Sequence, residues 1–206
     1  MVATVSNRCG SMLSVIIATH ESERALVPTL AALVPAAASG LIAEVVVADA
    51  GSRDATAEVA EIAGCRFMSS SEPLGVRLKA AAAVTRRPWL MFLRAGIVPQ
   101  AGWIDAVDDF IQTTDCLEGP ALAAVFRPPG AAHLRPAFAE IIASLRSALG
   151  GGPRPDQGLL IARHFYEALG GHSPETDCEM ALLRRLGRRR TAMLPVAVSL
   201  TRNYLT

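Results

Sequence analysis

The sequence predicts an α/β fold: one domain with a mostly parallel central sheet and helices on both faces. Two β-branched hydrophobic runs, at 13–18 and 45–48, each end abruptly in small polar and acidic residues. Ala- and Leu-rich segments separate such runs, and strands alternating with helices are typical of right-handed βαβ crossovers. Ligands of open α/β sheets bind at the carboxyl ends of the strands, so we expect the site at that edge. A chain of 206 residues suits a single domain.

The first half of the chain alternates regularly between strands and helices. Strands are predicted at 13–18, 45–48, 65–68 and 89–93, and helices at about 54–63 and 74–84 as well as directly after the first strand. Leu26, Leu30 and Leu33 form one stripe of that first helix. Pro28 is expected to kink it, or to mark a true start close to Val27.

The second half is less regular. Helices are predicted at 101–113, 136–149, 163–169 and 175–186, strands at 121–126, 158–162 and 193–200, and a polar loop at 150–157. Residues 1–12 are expected to form a leader without secondary structure.

Composition and charge exclude several classes of protein. A net charge of +1 gives no sign of a nucleic-acid binder that acts by charge alone, and the basic run 184–190 is interpreted as a solvated helix end. The four cysteines have no CxxC spacing, so reduced thiols are expected. No apolar stretch approaches the roughly 18 residues of a membrane span. We expect a cytoplasmic protein whose only membrane contact would be peripheral, at the inner face.

Five segments carry a resemblance to a known family. They are SVIIATHESE (14–23), VVVADAGSRDAT (45–56), RRPWLMFLRAG followed by PQAGW (86–103), DQGLLIARHFYEALGG (156–171) and TDCEMALLRRLGR (176–188). In this order and spacing the chain resembles the family 2 glycosyltransferases of the GT-A fold, a Rossmann-like sandwich, in their short bacterial form. Such enzymes move a sugar from a nucleotide donor to an acceptor hydroxyl, usually with a divalent metal. The resemblance implies a nucleotide-binding half, 13–98, and an acceptor half, 99–206.

The resemblance also implies roles for polar residues at the ends of the first two strands. Thr19 and Glu21 are expected near the nucleotide, Asp49 at the contact to the base, and Ser52 in the same turn. A carboxylate can accept a hydrogen bond from a uracil or guanine N–H, and hydroxyls and turn amides suit ribose and phosphate oxygens. Asp54 either lines this turn or simply caps the helix that it opens.

The expected metal motif is missing. The family's fourth strand normally ends in Asp-x-Asp, whose carboxylates hold Mg²⁺ or Mn²⁺ against the donor diphosphate, whereas the matching positions here are Arg94, Ala95 and Gly96. Hard divalent cations need oxygen ligands, so we name no metal ligand and expect an atypical or absent metal dependence. Arg94 has two interpretations. It neutralises the diphosphate by bidentate hydrogen bonds, or it pairs with a neighbouring acid in a decayed site.

Further matched positions complete the candidate site. Lys79 replaces the Asn of an Asn-Ala-Gly motif and either adds positive charge near a phosphate or is a solvated surface residue. Asp177 matches the catalytic base of inverting members, although its acidic neighbour is missing, and it could instead complement the helix dipole. Asp156 and Gln157 match an acceptor-region pair. His172 lies where some GT-A proteins supply a late metal ligand, but a lone His is more often a packing residue.

The predicted function is therefore an inverting glycosyltransferase that uses a UDP-, GDP- or TDP-linked sugar. The alternative is a catalytically inactive GT-A-like domain that binds a ligand or a partner. A nucleotidyltransferase is the weakest candidate, because ATHESER, at 18–24, has no glycine. No nucleic-acid partner and no integral membrane segment are expected, and a homodimer stays open.

Overall fold

The computed structural model describes residues 13–116, 123–129 and 153–201. The strands are β1 (Leu13–Thr19), β2 (Ile42–Asp49), β3 (Arg66–Ser69), β4 (Trp89–Arg94), β5 (Ile97–Pro99), β6 (Ala123–Arg127), β7 (Leu159–Ala162) and β8 (Thr191–Leu200). The α-helices are α1 (Glu23–Ala38), α2 (Thr56–Ile62), α3 (Leu74–Val84), α4 (Trp103–Cys116), α5 (Arg163–Ala168) and α6 (Cys178–Leu186). Short 3₁₀ turns lie at Pro155–Gln157 and Arg188–Arg190.

The eight strands within the described residues belong to one sheet with the order β3-β2-β1-β4-β7-β6-β8-β5. Strands β3, β2, β1 and β4 are parallel neighbours, and β6 runs parallel to β8. The second half adds antiparallel pairings, because β7 pairs in that sense with both β4 and β6, and β5 pairs so with β8. The predicted α/β class with a mostly parallel sheet is confirmed.

The core is built around β1. All seven of its residues are buried, so both faces of the sheet are covered at this strand. Helix α1 packs on β2 and β5, and α3 packs on β1 and β2. The strand register places Thr19 beside Asp49 and Ala18 beside Arg94. Three neighbouring strands therefore bring their carboxyl ends, and the residues that follow them, to one edge.

Helix α1 corrects one expectation. It begins at Glu23, and the Leu26 N–H already donates to the Ser22 carbonyl at 2.8 Å, so a start close to Val27 is wrong. Pro28 lies inside the helix with a second proline, Pro35. Pro28 and Pro35 cannot donate to the carbonyls four residues earlier, which belong to the exposed residues 24 and 31, where water can satisfy them. The predicted leucine stripe is buried.

Other differences lie mainly at element ends. Helix α2 begins at Thr56 instead of Asp54, and α6 begins at Cys178 instead of residue 175. The three-residue strand β5 was not predicted, because it is short and follows β4 after only two residues. The expected helix at 136–149 and the leader at 1–12 lie outside the described residues. Among the helices that are described, none is long and apolar enough to cross a membrane.

Candidate functional site

The loops that follow β1 and β2 are bonded to each other. The Glu21 N–H donates to Ser52 Oγ at 2.8 Å, and the Arg53 N–H donates back to Glu21 Oε1 at 2.8 Å. The Ser22 N–H donates to Thr56 Oγ1 at 2.9 Å, which links the start of α1 to the start of α2. Backbone donors that would otherwise need water are thus satisfied across the two loops, and the loops form one wall of the sheet edge.

Glu21 holds an unusual backbone conformation. Its φ of 47° lies in the left-handed region, and it is the one non-glycine residue there among those described. The bonds to Ser52 and Arg53 hold it there, on both its backbone and its side chain. Such strain persists only where the surroundings over-determine it, and it occurs often at ligand sites.

Asp49 is the buried centre of this network. It is fully buried, and its Oδ1 accepts from Thr19 Oγ1 at 2.8 Å and from Ser52 Oγ at 2.5 Å. Its Oδ2 accepts the N–H groups of Gly51 and Ser52, both at 2.7 Å. Burial alone would raise the pKa of Asp49, but the hydrogen bonds from Ser52, Thr19 and Gly51 together hold it below its usual value. In this conformation Asp49 organises the turn, and its contact to a base stays a prediction.

Asp54 accepts hydrogen bonds at the starts of two helices. Its Oδ2 accepts the Glu23 N–H at 2.9 Å, at the start of α1, and its Oδ1 accepts the N–H and the hydroxyl of Thr56 at the start of α2. Burial opposes the charged form, yet the bonds from Thr56 and Glu23 lower the pKa of Asp54. Asp54 thus satisfies first-turn donors of both helices, although their N-cap residues are Ser22 and Ala55.

A cleft of about 590 Å³ opens at this edge, within the roughly 300–1,000 Å³ typical of small-molecule sites. Its lining residues are Ala18, Thr19, His20, Glu21, Ser22, Glu23, Arg24, Ala25, Asp54, Leu74, Arg77, Arg94 and Ala95. Of the predicted donor residues, Thr19, Glu21 and Arg94 line it directly. Ser52 and Asp49 do not line it. Their side chains accept backbone hydrogen bonds that stabilise the wall.

Arg77 was not among the predicted site residues, whereas Lys79 was predicted either near a phosphate or on the solvated surface. Arg77 lies across the ends of β1 and β2, with Nη1 donating to the Ala48 carbonyl at 2.6 Å and to the Thr19 carbonyl at 3.4 Å. Lys79 instead lines a separate hollow of about 190 Å³ beside Arg163. Two residues along an α-helix correspond to about 200° of rotation, so Arg77 and Lys79 point to different surfaces. The sequence spacing does place Arg77 with Leu74, because residues three apart in a helix share one face, and both line the cleft.

Arg94 ends β4 and meets a carboxylate from the second half of the chain. Its Nε donates to Glu179 Oε1 at 3.2 Å, and its Nη2 donates to Glu179 Oε2. The Glu179 side chain is 15% exposed and that of Arg94 39%, so the pair is half-buried at the border of the cleft. The ion pair is the contact that one of the two interpretations of Arg94 names, and contact of Arg94 with a diphosphate stays a prediction. Glu179 was not among the predicted site residues.

A glycine lets α6 carry Glu179 to this place. A Cβ on Gly75 would lie 1.7 Å from the Ser173 carbonyl oxygen and 2.9 Å from the Cys178 Cβ. Only glycine therefore allows the segment before α6 to pack this closely on α3. The contact brings the first turn of α6 beside the helix that carries Arg77.

The comparisons with known proteins decide the family. The model of "Glycosyl transferase family 2" matches residues 14–137, more than half of the chain. The chain belongs to glycosyl transferase family 2. No curated protein sequence matches it.

Solved structures share the GT-A fold of this family. Glucosyl-3-phosphoglycerate synthase from Mycobacterium tuberculosis, in complex with Mn²⁺, UDP and glucosyl-3-phosphoglycerate, superposes with a TM-score of 0.68 at 21% identity over 93% of this chain and 72% of that chain. The same enzyme with Mg²⁺ and UDP gives a TM-score of 0.68 at 20% identity, over the same shares of both chains. A further mycobacterial protein gives 0.64 at 23% identity, over 90% of this chain and 65% of that one. The expected GT-A fold is confirmed.

The metal that accompanies UDP in those structures does not fit the matching residues here. Arg94 is a cation bonded to Glu179, and neither Ala95 nor Gly96 has a side-chain oxygen. Gly96 has a φ of 95°, where a side chain is strained, and its N–H donates to Thr29 Oγ1 at 2.9 Å. Within 13–116, 123–129 and 153–201, no group of three or more His, Cys, Asp or Glu side chains could hold a metal ion.

Asp177, the candidate base of this family 2 member, directly precedes α6. It is exposed, and its Oδ2 lies 3.4 Å from Nη2 of Arg184. Asp177 does not line the cleft, but it lies two residues from Glu179, whose carboxylate reaches the cleft border. The proposed base thus lies outside the cleft lining, at the start of the helix whose Glu179 bonds to Arg94 at the cleft border.

The expected acceptor pair has divergent environments. Gln157 is buried and engaged on both polar atoms, because Nε2 donates to the Phe126 carbonyl at 2.6 Å and Oε1 accepts the Arg154 N–H at 2.7 Å. It fixes the turn before β7 to β6, which is a structural duty. Asp156 Oδ1 is buried and has no hydrogen-bond partner among the described residues. Contact of either residue with an acceptor stays a prediction.

His172 is a packing residue. It is 3% exposed, its Nδ1 lies 2.9 Å from Tyr166 Oη, and its ring packs edge-on against Phe92 at 4.8 Å. Burial, helped by the positive charge of Arg185, lowers the pKa of His172 to about 4. The imidazole is therefore neutral at ordinary pH.

Proposed function

We propose that the chain transfers a sugar from a nucleoside-diphosphate donor to an acceptor hydroxyl, with inversion at the anomeric carbon. The observation that carries the proposal is the cleft at the carboxyl ends of β1 and β4, in a member of glycosyl transferase family 2. The position is where open α/β sheets bind ligands. The synthase structures with this fold hold UDP, which makes UDP-sugars the first donors to test, followed by GDP- and TDP-sugars.

The nucleoside end of the donor is proposed to lie against the wall formed by Thr19, Glu21 and Ser52. Asp49 keeps this wall in place through its bonds to Thr19 and Ser52. A rigid wall lowers the entropy that binding would otherwise cost. Residues 13–98 would thus supply the nucleotide half, and 99–206 the acceptor half with Asp156.

Asp177 is proposed as the general base. It would take the proton of the acceptor hydroxyl while that oxygen attacks the anomeric carbon from the face opposite the leaving nucleotide. The new bond joins the acceptor oxygen to the anomeric carbon, and the bond between that carbon and the diphosphate oxygen breaks. Exposure of the Asp177 carboxylate lets an acceptor approach it. No step of this scheme passes through a metal ion.

The test begins with binding. Isothermal titration of the full chain with UDP-, GDP- and TDP-sugars, in EDTA and in Mn²⁺, is expected to show one preferred nucleotide. Incubation with that donor and a panel of hydroxyl acceptors should then release the nucleoside diphosphate. Failure of every nucleotide to bind in both buffers would remove the proposal.

A catalytically inactive GT-A-like domain is the second candidate, favoured by one observation. Where the family carries Asp-x-Asp, this chain places a guanidinium already paired with Glu179. Such a domain would bind a nucleotide or a partner, as a monomer or a homodimer, without turnover. Transfer or hydrolysis of a donor sugar by the purified chain would end this candidate.

A further inference from the structure

We propose that Arg94, held in place by Glu179, binds the donor diphosphate where the family uses a divalent cation, with Arg77 as the second cation of the site. This inference rests on the proposed function and deepens it. It makes donor binding independent of metal. It also gives Glu179, which was not among the predicted site residues, the role of a positioning residue.

The first support is placement. Arg94 ends β4 beside Ala18 of β1, and both residues line the cleft. Arg77 reaches the same cleft from α3, with its guanidinium against the carbonyls of Ala48 and Thr19. Two guanidinium groups from separate elements thus converge on the strand ends. A diphosphate carries the opposite charge, and guanidinium groups match its oxygens by parallel hydrogen bonds.

The second support is the geometry of the ion pair. Glu179 engages Arg94 through Nε and Nη2, which is a side-on bidentate contact that fixes the plane of the guanidinium. Glu179 is itself fixed, because it is 15% exposed and lies in the first turn of α6, which packs on Gly75. A metal ion acts as a charge at a fixed point. A long arginine side chain imitates it only when its rotamers are restrained, and a preoriented charge stabilises the diphosphate more strongly.

The third support is the poor fit of a cation. Arg94 would repel it, and the φ of 95° at Gly96 disfavours any side chain, including the carboxylate that the family has there. The three carboxylates that line the cleft accept hydrogen bonds: Asp54 from Glu23 and Thr56, Glu21 from the Arg53 N–H, and Glu23 from the Ala55 N–H. The positive charge that the diphosphate needs is therefore supplied by side chains.

The experiment measures binding of UDP and of uridine, which lacks the diphosphate, by titration calorimetry (GDP and guanosine, or TDP and thymidine, if those nucleotides are preferred). For the wild type, the affinity for UDP is expected to agree within about twofold between EDTA and Mn²⁺. Arg94→Ala should weaken UDP binding by about 10- to 100-fold, because it removes charge-assisted hydrogen bonds, and leave uridine binding unchanged. Arg189→Ala, an equal loss of charge on an exposed turn outside the cleft, should change neither.

Two further variants separate positioning from simple charge. Arg94→Lys keeps the charge but loses the planar fork, so UDP affinity should fall between those of the wild type and Arg94→Ala. Glu179→Gln should weaken UDP binding by about 3- to 10-fold without changing uridine binding, because Arg94 is less firmly oriented. If Glu179 had a role in folding alone, Glu179→Gln would weaken the binding of UDP and of uridine together. Tighter UDP binding in Glu179→Gln would show that Glu179 competes with the diphosphate, and would overturn its positioning role.

The outcomes separate this inference from the proposed function. UDP binding that disappears in EDTA would overturn the inference and leave the glycosyltransferase proposal standing. UDP affinities of Arg94→Ala and Arg94→Lys equal to that of the wild type would likewise overturn the inference and leave the glycosyltransferase proposal standing. Binding of no nucleotide under any condition would remove both. If Arg94→Ala fails to fold, Arg94→Lys and Glu179→Gln decide the matter.

Discussion

Charged side chains are stabilised in opposite ways in two regions, the wall formed by the loops after β1 and β2 and the end of β4. In the wall, Asp49 and Asp54 are satisfied by backbone N–H groups and hydroxyls from residues close to the sheet edge. At the end of β4, a guanidinium is satisfied by the carboxylate of Glu179, 85 residues away in sequence. In the wall, acids therefore organise loops, whereas at the β4 end an ion pair joins two distant segments. The resemblance predicts Asp-x-Asp at that end, where this chain has Arg94, Ala95 and Gly96.

The largest effect is expected at Asp177, beside the β4 region. Asp177→Asn removes the proposed base, so the kcat for sugar transfer should fall by about 10²- to 10⁴-fold, as general-base losses do. Donor affinity should stay unchanged, because Asp177 does not line the cleft. Steady-state kinetics and donor titration measure the two quantities separately.

The matched control is Arg184→Gln, which removes the exposed partner of Asp177 and leaves the carboxylate. Exposed pairs contribute little, so kcat should change by no more than about twofold. Full activity of Asp177→Asn would exclude Asp177 as the base and direct attention to other carboxylates near α6.

The next effect concerns the wall. Asp49→Asn removes a buried charge and presents an amide N–H₂ to groups that donate, among them the N–H groups of Gly51 and Ser52. The free energy of unfolding should fall by about 2–3 kcal/mol, because buried donors lose their acceptor. Urea unfolding followed by circular dichroism measures it. Ser69→Ala, which removes only a 3.3 Å bond to the same carboxylate, should cost less than about 1 kcal/mol.

The pH dependence of stability provides a second check on the wall. The pKa values of Asp49 and Asp54 are lowered in the folded state, so the unfolded chain binds protons more readily than the folded one. Their stabilisation is present above the ordinary pKa of about 3.9 and is lost as the pH falls through the folded values. The urea concentration at the unfolding midpoint should therefore decrease as the pH is lowered below about 4. The decrease should be less steep in Asp49→Asn. Equal slopes in both proteins would contradict the charge that we assign to Asp49.

At the end of β4, introducing a carboxylate should lower the stability, whereas in the wall removing one does. Arg94→Asp breaks the ion pair and sets two carboxylates against each other, so stability in EDTA should fall by about 1–2 kcal/mol, between the values for exposed and buried pairs. Thermal unfolding with and without Mn²⁺ measures whether the new acid pair recruits a cation. Gly96→Asp is left out because its φ of 95° would add strain. Turnover that arises only in Arg94→Asp would mean that the natural chain has lost its activity.

The sequence predicts a structural feature well when nearby residues determine it, and poorly when contacts between distant segments do. The strands β1 and β2 were predictable because β-branched runs and the polar residues that end them are local. Helix α1 was misjudged at its start, because the exposed carbonyls opposite Pro28 and Pro35 need no partner within the protein. The pairing of Arg94 with Glu179 could not be predicted, since it depends on how α6 packs against Gly75. The atypical metal dependence, in contrast, is a prediction from three adjacent residues, Arg94, Ala95 and Gly96.

The smallest effect tests which cation of α3 contacts the donor, Arg77 or the predicted Lys79. Arg77→Ala should weaken UDP binding by about tenfold, as the loss of one charge-assisted contact would, while uridine affinity changes less. Lys79→Ala removes the same charge two residues later and should change UDP affinity by no more than about twofold, because Lys79 lines the hollow beside Arg163. The two variants each remove one positive charge, from different faces of α3, so calorimetry with UDP distinguishes local contact from net charge. Equal losses in both would mean that the cleft attracts phosphate through its overall field, and the converging guanidinium groups would then lose their special role.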